Sequence, residues 1–291
     1  MSIQVSYKKQ FSVLILMLFV ILVGLEGFSR LYELFVPICD IVESDVFKND
    51  FLTARLICYD ANMITYNTER LLPIEPNQHL NTININSHGF RGDEVALNKD
   101  ENTYRIFVVG GSTVFGIGAT SDQTTISGYL QEFFDNEYLG KNVEVINAGA
   151  SHATSTKEKI MIKHMLIDFN PDLIIAYDGW NDANKRKITD NSKIPENWQT
   201  MQNTQDLIKF GTYKFYRTPF VVYDILFKQF EPDNTFGVKK KTSTDEEILQ
   251  VVEQWKYNWI EVCNFGEQNN FQTLIVIQSE LKSGNKILSH S

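Results

Sequence analysis

Cysteine is scarce in this chain. Its 291 residues include three cysteines, Cys39, Cys58 and Cys263. Three cannot make a disulfide framework, and their spacing matches no metal cluster. A Cys39–Cys58 bridge remains open to a chain working outside the cytoplasm. Positive charge is also in short supply: 27 Lys and Arg face 36 Asp and Glu, a net charge of −9, which argues against a nucleic-acid partner. Internal repeats and low-complexity tracts are missing. Two glycine-rich motifs are excluded as well. A Walker loop needs Gly-Lys-Ser/Thr where Gly116-Ile117-Gly118 stands. The G-x-S-x-G elbow needs glycine two residues past Ser112, where Val114 sits. No residue pattern calls for a cofactor or a metal.

Charge is also missing from one local stretch. Phe11 to Leu25 runs fifteen residues without an ionisable group, with Lys8 and Lys9 before it and Glu26 and Arg30 after. As a helix the run covers about 22 Å, and extension to Tyr7 and Phe28 with snorkelling lysines closes most of the gap to a ~30 Å hydrocarbon core. Its apolar residues run all round instead of forming one stripe, unlike a core helix. The lysine flank places the short tail in the cytoplasm and all later residues outside. Residues 1–30 are therefore predicted to be tail and single-pass transmembrane anchor. A cleaved signal peptide competes, because Gly27-Phe-Ser29 loosely fits a small-x-small site.

Residues 31–102 mix signals broken by Pro37, Pro73 and Pro76, and read as a stalk and a small N-terminal layer. Within them, Asn86 to Gly92 sets Phe90-Arg91 between two glycines, a tight turn displaying an aromatic and a cation. Arg91 is either an anion ligand or a structural partner of a nearby carboxylate.

From residue 103 onward the chain alternates strands and helices, the pattern of a parallel sheet. Ile106–Val109, Val143–Ile146, Leu173–Tyr177 and Thr273–Ile277 read as strands. Thr120-Ser-Asp122 offers helix caps ahead of Ile126 to Phe134, Thr154-Ser-Thr156 caps the next helix, and a long helical pattern covers Asp245 to Phe265. Between about 183 and 244 the pattern is lost. This insertion opens with Lys185-Arg-Lys187 and carries aromatics from Phe210 to Phe230. It reads as a cap over the site, a membrane- or partner-facing surface, or an extra packed layer.

Three strands end in small or polar residues: Gly110-Gly-Ser112, Asn147-Ala-Gly149 and Gly179-Trp-Asn181-Asp182. In a parallel sheet with right-handed crossovers these ends share one edge. A serine hydroxyl, a glycine N–H and an asparagine NH₂ then converge, a nucleophile with oxyanion donors as acyl transfer requires.

These residues resemble the SGNH, or GDSL-type, serine hydrolases. Gly110-Gly-Ser-Thr113 is similar to the family's first block with glycine for aspartate, Asn147-Ala-Gly149 to its second, and Gly179-Trp-Asn-Asp182 to its G-x-N-D block. The run Asn86 to Gly92 is similar to the N-x-x-G-F-R-G pattern of membrane-anchored members. The resemblance spans about residues 84–278. It implies a flavodoxin-like three-layer α/β/α domain over 103–291, Ser112 as nucleophile, and an oxyanion hole of the Ser112 N–H, Gly149 and Asn181. It also implies an acylated small molecule or cell-surface glycan as substrate, with hydrolysis of ester or O-acetyl groups outside the cell membrane.

One block departs. The family's D-x-x-H supplies the base, and no histidine here has aspartate three residues before it. His290 follows Ile287, thirteen residues being left after Gln278. His152 and His88 lie nearer the motifs, while His79 and His164 read as structural. The leading expectation is an anchored hydrolase whose C-terminal end is missing and which is inactive as it stands. A glycan O-acyltransferase and a catalytically dead glycan-binding or assembly protein are the alternatives.

Overall fold

The computed structural model describes residues 6–36, 47, 50–67, 69–137, 140–184, 215–226 and 244–278. In chain order it forms α1 (Tyr7–Glu33), α2 (Phe51–Met63), β1 (Gln78–His79), β2 (Asn84–Ile85) and β3 (Thr103–Gly110). The short helix α3 (Ser112–Phe115) follows, then α4 (Ile126–Asn136), β4 (Asn142–Gly149), α5 (Ser155–His164) and β5 (Leu173–Asp178). The last elements are α6 (Trp180–Asn184), α7 (Thr218–Leu226), α8 (Asp245–Asn269) and β6 (Gln272–Ile277). They fall into two units, Met1–Met63 with Ile208–Lys239, and Ile64–Leu207 with Lys240–Ser291.

In the first unit, α1 extends the uncharged run at both ends to 27 residues, about 40 Å at 1.5 Å per residue. It is long and apolar enough to cross a membrane, by length and composition, as an anchor or a signal sequence is. Its backbone bonds close within the helix, as an apolar surrounding demands. Helix α2, which the mixed sequence signals did not reveal, buries Ala54, Ile57 and Cys58. Cys58 is disulfide-bonded and Cys263 is a free thiol, whereas Cys39 lies outside the described residues.

The second unit is built on a four-stranded sheet of order β4-β3-β5-β6, parallel throughout. Strand β3 is central, and Ile106 to Val109 are at most 1 % exposed, as expected of a parallel strand covered on both faces. Phe107 meets Phe90 and Phe169 at ring-centroid distances of 5.4 and 5.9 Å, and those two meet at 5.2 Å. The Phe90–Phe169 and Phe107–Phe169 pairs are edge-on, and such pairs add about 0.5–1.5 kcal/mol each beyond their buried area. The hairpin β1–β2 joins the structure through Arg91, which bridges both Ile85 and Asn147 of β4.

All four predicted strands form. The predicted helices form too, with shifted ends. The cap of α4 is Thr125, whose hydroxyl accepts from the Gly128 N–H; Thr120-Ser-Asp122 precedes it as a turn, and Asp122 is taken by Arg91. Thr244 and Glu247 make a reciprocal capping box on α8, which fixes the start of that helix. Most of the insertion between 183 and 244, including Lys185 to Lys187, Phe210 and Phe230, lies outside the described residues, as does His290.

Candidate active site

The sheet register sets the three strand ends side by side. Gly110 pairs with Gly149 on one side and with Tyr177 on the other. The strands thus deliver Ser112, Gly149 and the Gly179–Asp182 turn to one edge, as the sequence pattern implied.

Ser112 opens α3 directly after β3, half-buried, with Gly111 as the cap residue. Three groups fix this one-turn helix. The Asn147 side chain donates from Nδ2 to the carbonyls of Val114 at 2.9 Å and Phe115 at 3.4 Å. Arg91 donates from Nη1 to Phe115 O at 3.1 Å and Gly116 O at 2.8 Å, placing a cation at the C-terminal end of α3. Its Nε reaches Asp122 Oδ1 at 2.7 Å and its Nη2 reaches Thr82 O at 2.7 Å. Arg91 is 4 % exposed, and its donors are spent on the protein, so it is the structural partner of a carboxylate and not an anion ligand.

Gly149 is the third support. A Cβ there would stand 2.7 Å from Val114 C and 2.8 Å from Phe115 Cα, so glycine lets α3 lie directly on β4. Its N–H donates to Asn147 Oδ1 at 3.0 Å. Asn147 therefore contacts both the serine helix and the glycine, a role the sequence did not disclose although the residue stands two before Gly149.

Asn181 comes from α6. Its Nδ2 donates to Ala153 O at 2.6 Å, and a Cβ on Gly111 would overlap that same nitrogen. The amide thus lies against the residue preceding Ser112, and glycine at 111 is what lets it approach. Asp182 locks α6 in place: its carboxylate accepts from the Ser155 N–H at 2.9 Å and the Ser155 hydroxyl at 2.6 Å. Asn258 of α8 in turn donates to Ser155 Oγ at 2.9 Å.

Behind this turn is a set of buried carboxyls. Asp178, at the end of β5, is pushed up to about 6 by burial and the charge of Asp182, against the Gly179 N–H and the Trp255 and Trp259 indoles. The Trp255 Nε1 lies 2.9 Å from Asp178 Oδ2. Glu158 on α5 is fully buried, and burial with the charges of Asp178 and Asp182 raises its carboxyl well above the usual range. Nothing in the sequence marks Glu158, which stands between Lys157 and Lys159 in a polar stretch of α5.

The histidines are dispersed. His152 is exposed, with φ +58°, in the turn from Ala150 to Ala153 beside Asn181. His88 packs edge-on against Phe169 at 4.9 Å, next to the segment entering β5, at the end of that strand away from Ser112. His88 and His164 line a cleft of about 670 Å³ with Arg70 and Asp168. His79 is exposed and bonds Asn84 at 3.2 Å. Among the described residues no group of His, Cys, Asp or Glu is arranged to hold a metal ion.

No family model matches the chain, and no curated protein does. Among solved structures it has a distant similarity to esterases of the SGNH-hydrolase family. AlinE4, an SGNH-hydrolase family esterase, is 15% identical over 56% of this chain and 98% of its own, with a TM-score of 0.25. Axe2, an acetylxylan esterase from Geobacillus stearothermophilus, is 13% identical over 58% of this chain and 74% of its own, TM-score 0.25. A putative acylhydrolase from Bacteroides fragilis is 13% identical over 61% and 70%, TM-score 0.23.

Proposed function

We propose that this chain is a membrane-anchored, extracytoplasmic serine esterase of the SGNH type, with a flavodoxin-like three-layer catalytic domain acting on ester or O-acetyl groups. The observation that carries the reading is the packing of Asn181 Nδ2 against Gly111, beside a serine whose helix is held by Gly149, Asn147 and Arg91. In this reading Ser112 attacks the acyl carbonyl, and the oxyanion takes hydrogen bonds from the Ser112 N–H, Gly149 N–H and Asn181 Nδ2. Asn181 has a second N–H to give. The Gly149 N–H is held by Asn147 Oδ1 at 3.0 Å and exchanges that partner for the oxyanion in this reading.

The Ser112 proton needs an acceptor. With no D-x-x-H in the sequence, turnover by these 291 residues is slow, because an unassisted serine hydroxyl is a weak nucleophile at neutral pH. The same absence favours a second reading, a catalytically dead acyl-glycan binder. Membrane attachment is supported by the length of α1 and its lysine flank, and an oxidising exterior by the disulfide at Cys58.

The test is hydrolysis of p-nitrophenyl acetate and of acetylated oligosaccharides by the full chain. A weak, alkaline-rising rate lost in Ser112→Ala supports the esterase. Binding of the acetylated sugar with no serine-dependent rate supports the binder.

A further inference from the structure

The first unit buries several polar groups and leaves many large apolar ones open. Ser29, Glu33, Asp60 and Arg217 are each less than 9 % exposed, whereas Phe215, Tyr216, Val222, Ile225 and Leu226 lie 39–67 % open. On α2 the open positions Leu52, Leu56 and Tyr59 recur at helical spacing. Buried polar groups and exposed large apolar ones are the informative exceptions to the usual burial rule.

Ser29, Glu33 and Arg217 belong to one network with Glu26 and Thr218. Glu26, one residue past the uncharged run, accepts from the backbone N–H groups of Arg217, at 3.0 and 3.1 Å, and of Thr218, at 3.2 Å. It also accepts the Thr218 hydroxyl at 2.9 Å. It thus caps α7, which has Pro219 in its first turn, where a missing N–H costs nothing. Arg30 donates to Phe215 O at 3.2 Å, and Ser29 to Thr218 Oγ1 at 3.3 Å. Arg217 pairs with Glu33, and its guanidinium lies 5.8 Å from the Tyr59 ring of α2. Helix α7 and the edge of α2 are therefore fastened to the end of α1 that follows the uncharged run.

We propose that α7, with the aromatic pair before it and the open stripe of α2, is seated in the outer lipid–water interface beside α1. The inference rests on α1 being a retained anchor. The open apolar surface of α7 and α2 continues that of α1 at the point where its charged residues begin. Tyr216 and Tyr59 add the amphipathic rings found at headgroup depth. Lipid is the occupant because those side chains surround a helix that has lipid along the rest of its length, and an interfacial helix buries its apolar face about 5–10 Å deep. Cleavage at Gly27–Ser29 would remove the Glu26 cap on α7.

The test uses the full chain with Cys263→Ser, carrying one of Leu16→Cys, Leu97→Cys, Phe215→Cys or Leu226→Cys, each labelled with a polarity-sensitive fluorophore. The protein is reconstituted in phosphatidylcholine–phosphatidylglycerol vesicles and quenched with iodide. Position 16 reports the anchor, and position 97, open at 46 % on the second unit, reports water. The expected result is quenching at 215 and 226 about fivefold or more below that at 97, approaching that at 16. Quenching at 215 and 226 equal to that at 97, with 16 protected, overturns the proposal and leaves the anchor standing. Quenching at 16 equal to that at 97 removes the anchor and the proposal with it.

Discussion

Replacing Arg91 by alanine removes a guanidinium that is 1 % exposed from a pair whose carboxylate is 11 % exposed. Asp122 keeps the Asn84 N–H at 3.2 Å and Asn84 Nδ2 at 2.8 Å, so its charge is not stranded. Phe115 O keeps a long bond to Asn147. Gly116 O keeps the Ala119 N–H at 3.0 Å, and Thr82 O loses a charged donor, a loss of about 1–3 kcal/mol. The loss is expected near 3 kcal/mol, the lower end of about 3–5 kcal/mol for breaking a buried pair from one side. For a domain of this size that lowers Tm by about 10 °C. Arg91→Lys keeps the charge, but one ammonium cannot span four acceptors on three segments, so less than half the loss is recovered. Thermal melts of the detergent-solubilised chain, with Asp122→Asn and the double variant, give the coupling directly. Because Arg91 acts on Ser112 only through α3, serine labelling of the folded Arg91→Lys protein is expected to slow as well. A Tm within 2 °C of the parent for Arg91→Ala, taking ~2 °C as the smallest shift that size scaling resolves, would refute the reasoning.

Two further perturbations probe the same edge. Asp178 has a folded pKa raised to about 6 from the ordinary aspartate value of 3.8, so the folded state holds its proton more tightly than the unfolded one. No penalty exists below about pH 4, where both states are protonated; it grows as pH rises through 4 to 6 and levels at about 3 kcal/mol. Asp178→Asn, whose side-chain oxygen can still accept from an indole, is therefore expected to raise Tm at pH 8 and leave it unchanged at pH 4; equal shifts at both pH values would contradict this. Gly149→Ala forces a methyl onto the Val114–Phe115 backbone, an overpacking cost of about 1–3 kcal/mol. It should slow serine labelling in protein that is still folded, and unchanged labelling would remove the support given to Gly149.

The sheet was legible because each strand is a short apolar run closed by small residues, and the register then follows from parallel pairing. That Ser112, Gly149 and Asn181 come to one edge was legible for the same reason, since strand ends in an open parallel sheet share an edge. What the sequence hid was long-range and polar. Arg91 stands 31 residues from Asp122, and only the fold shows that its donors close on α3. Asn147 looked like one more small polar residue in a turn, yet its amide reaches α3 on one side and the Gly149 N–H on the other. Glu158 sits among Lys157 and Lys159 on a helix, where nothing in the periodicity marks it as buried. Helix α2 was missed because its apolar positions face outward as well as inward, which blurs the 3.6-residue period. The polar seam between α1 and α7 joins residues about 190 apart, beyond the reach of any local pattern.

The central claim is that Ser112 is a nucleophile set beside oxyanion donors. The direct measurement is peptide-mapped mass spectrometry of the full chain after incubation with a fluorophosphonate at pH 9, where solvent hydroxide helps remove the serine proton. The account expects one adduct, on the peptide containing Ser112, absent from Ser112→Ala and formed on the order of 10²–10³-fold more slowly in Asn181→Ala. Undiminished labelling of Ser112→Ala, or an adduct confined to another serine, would contradict it.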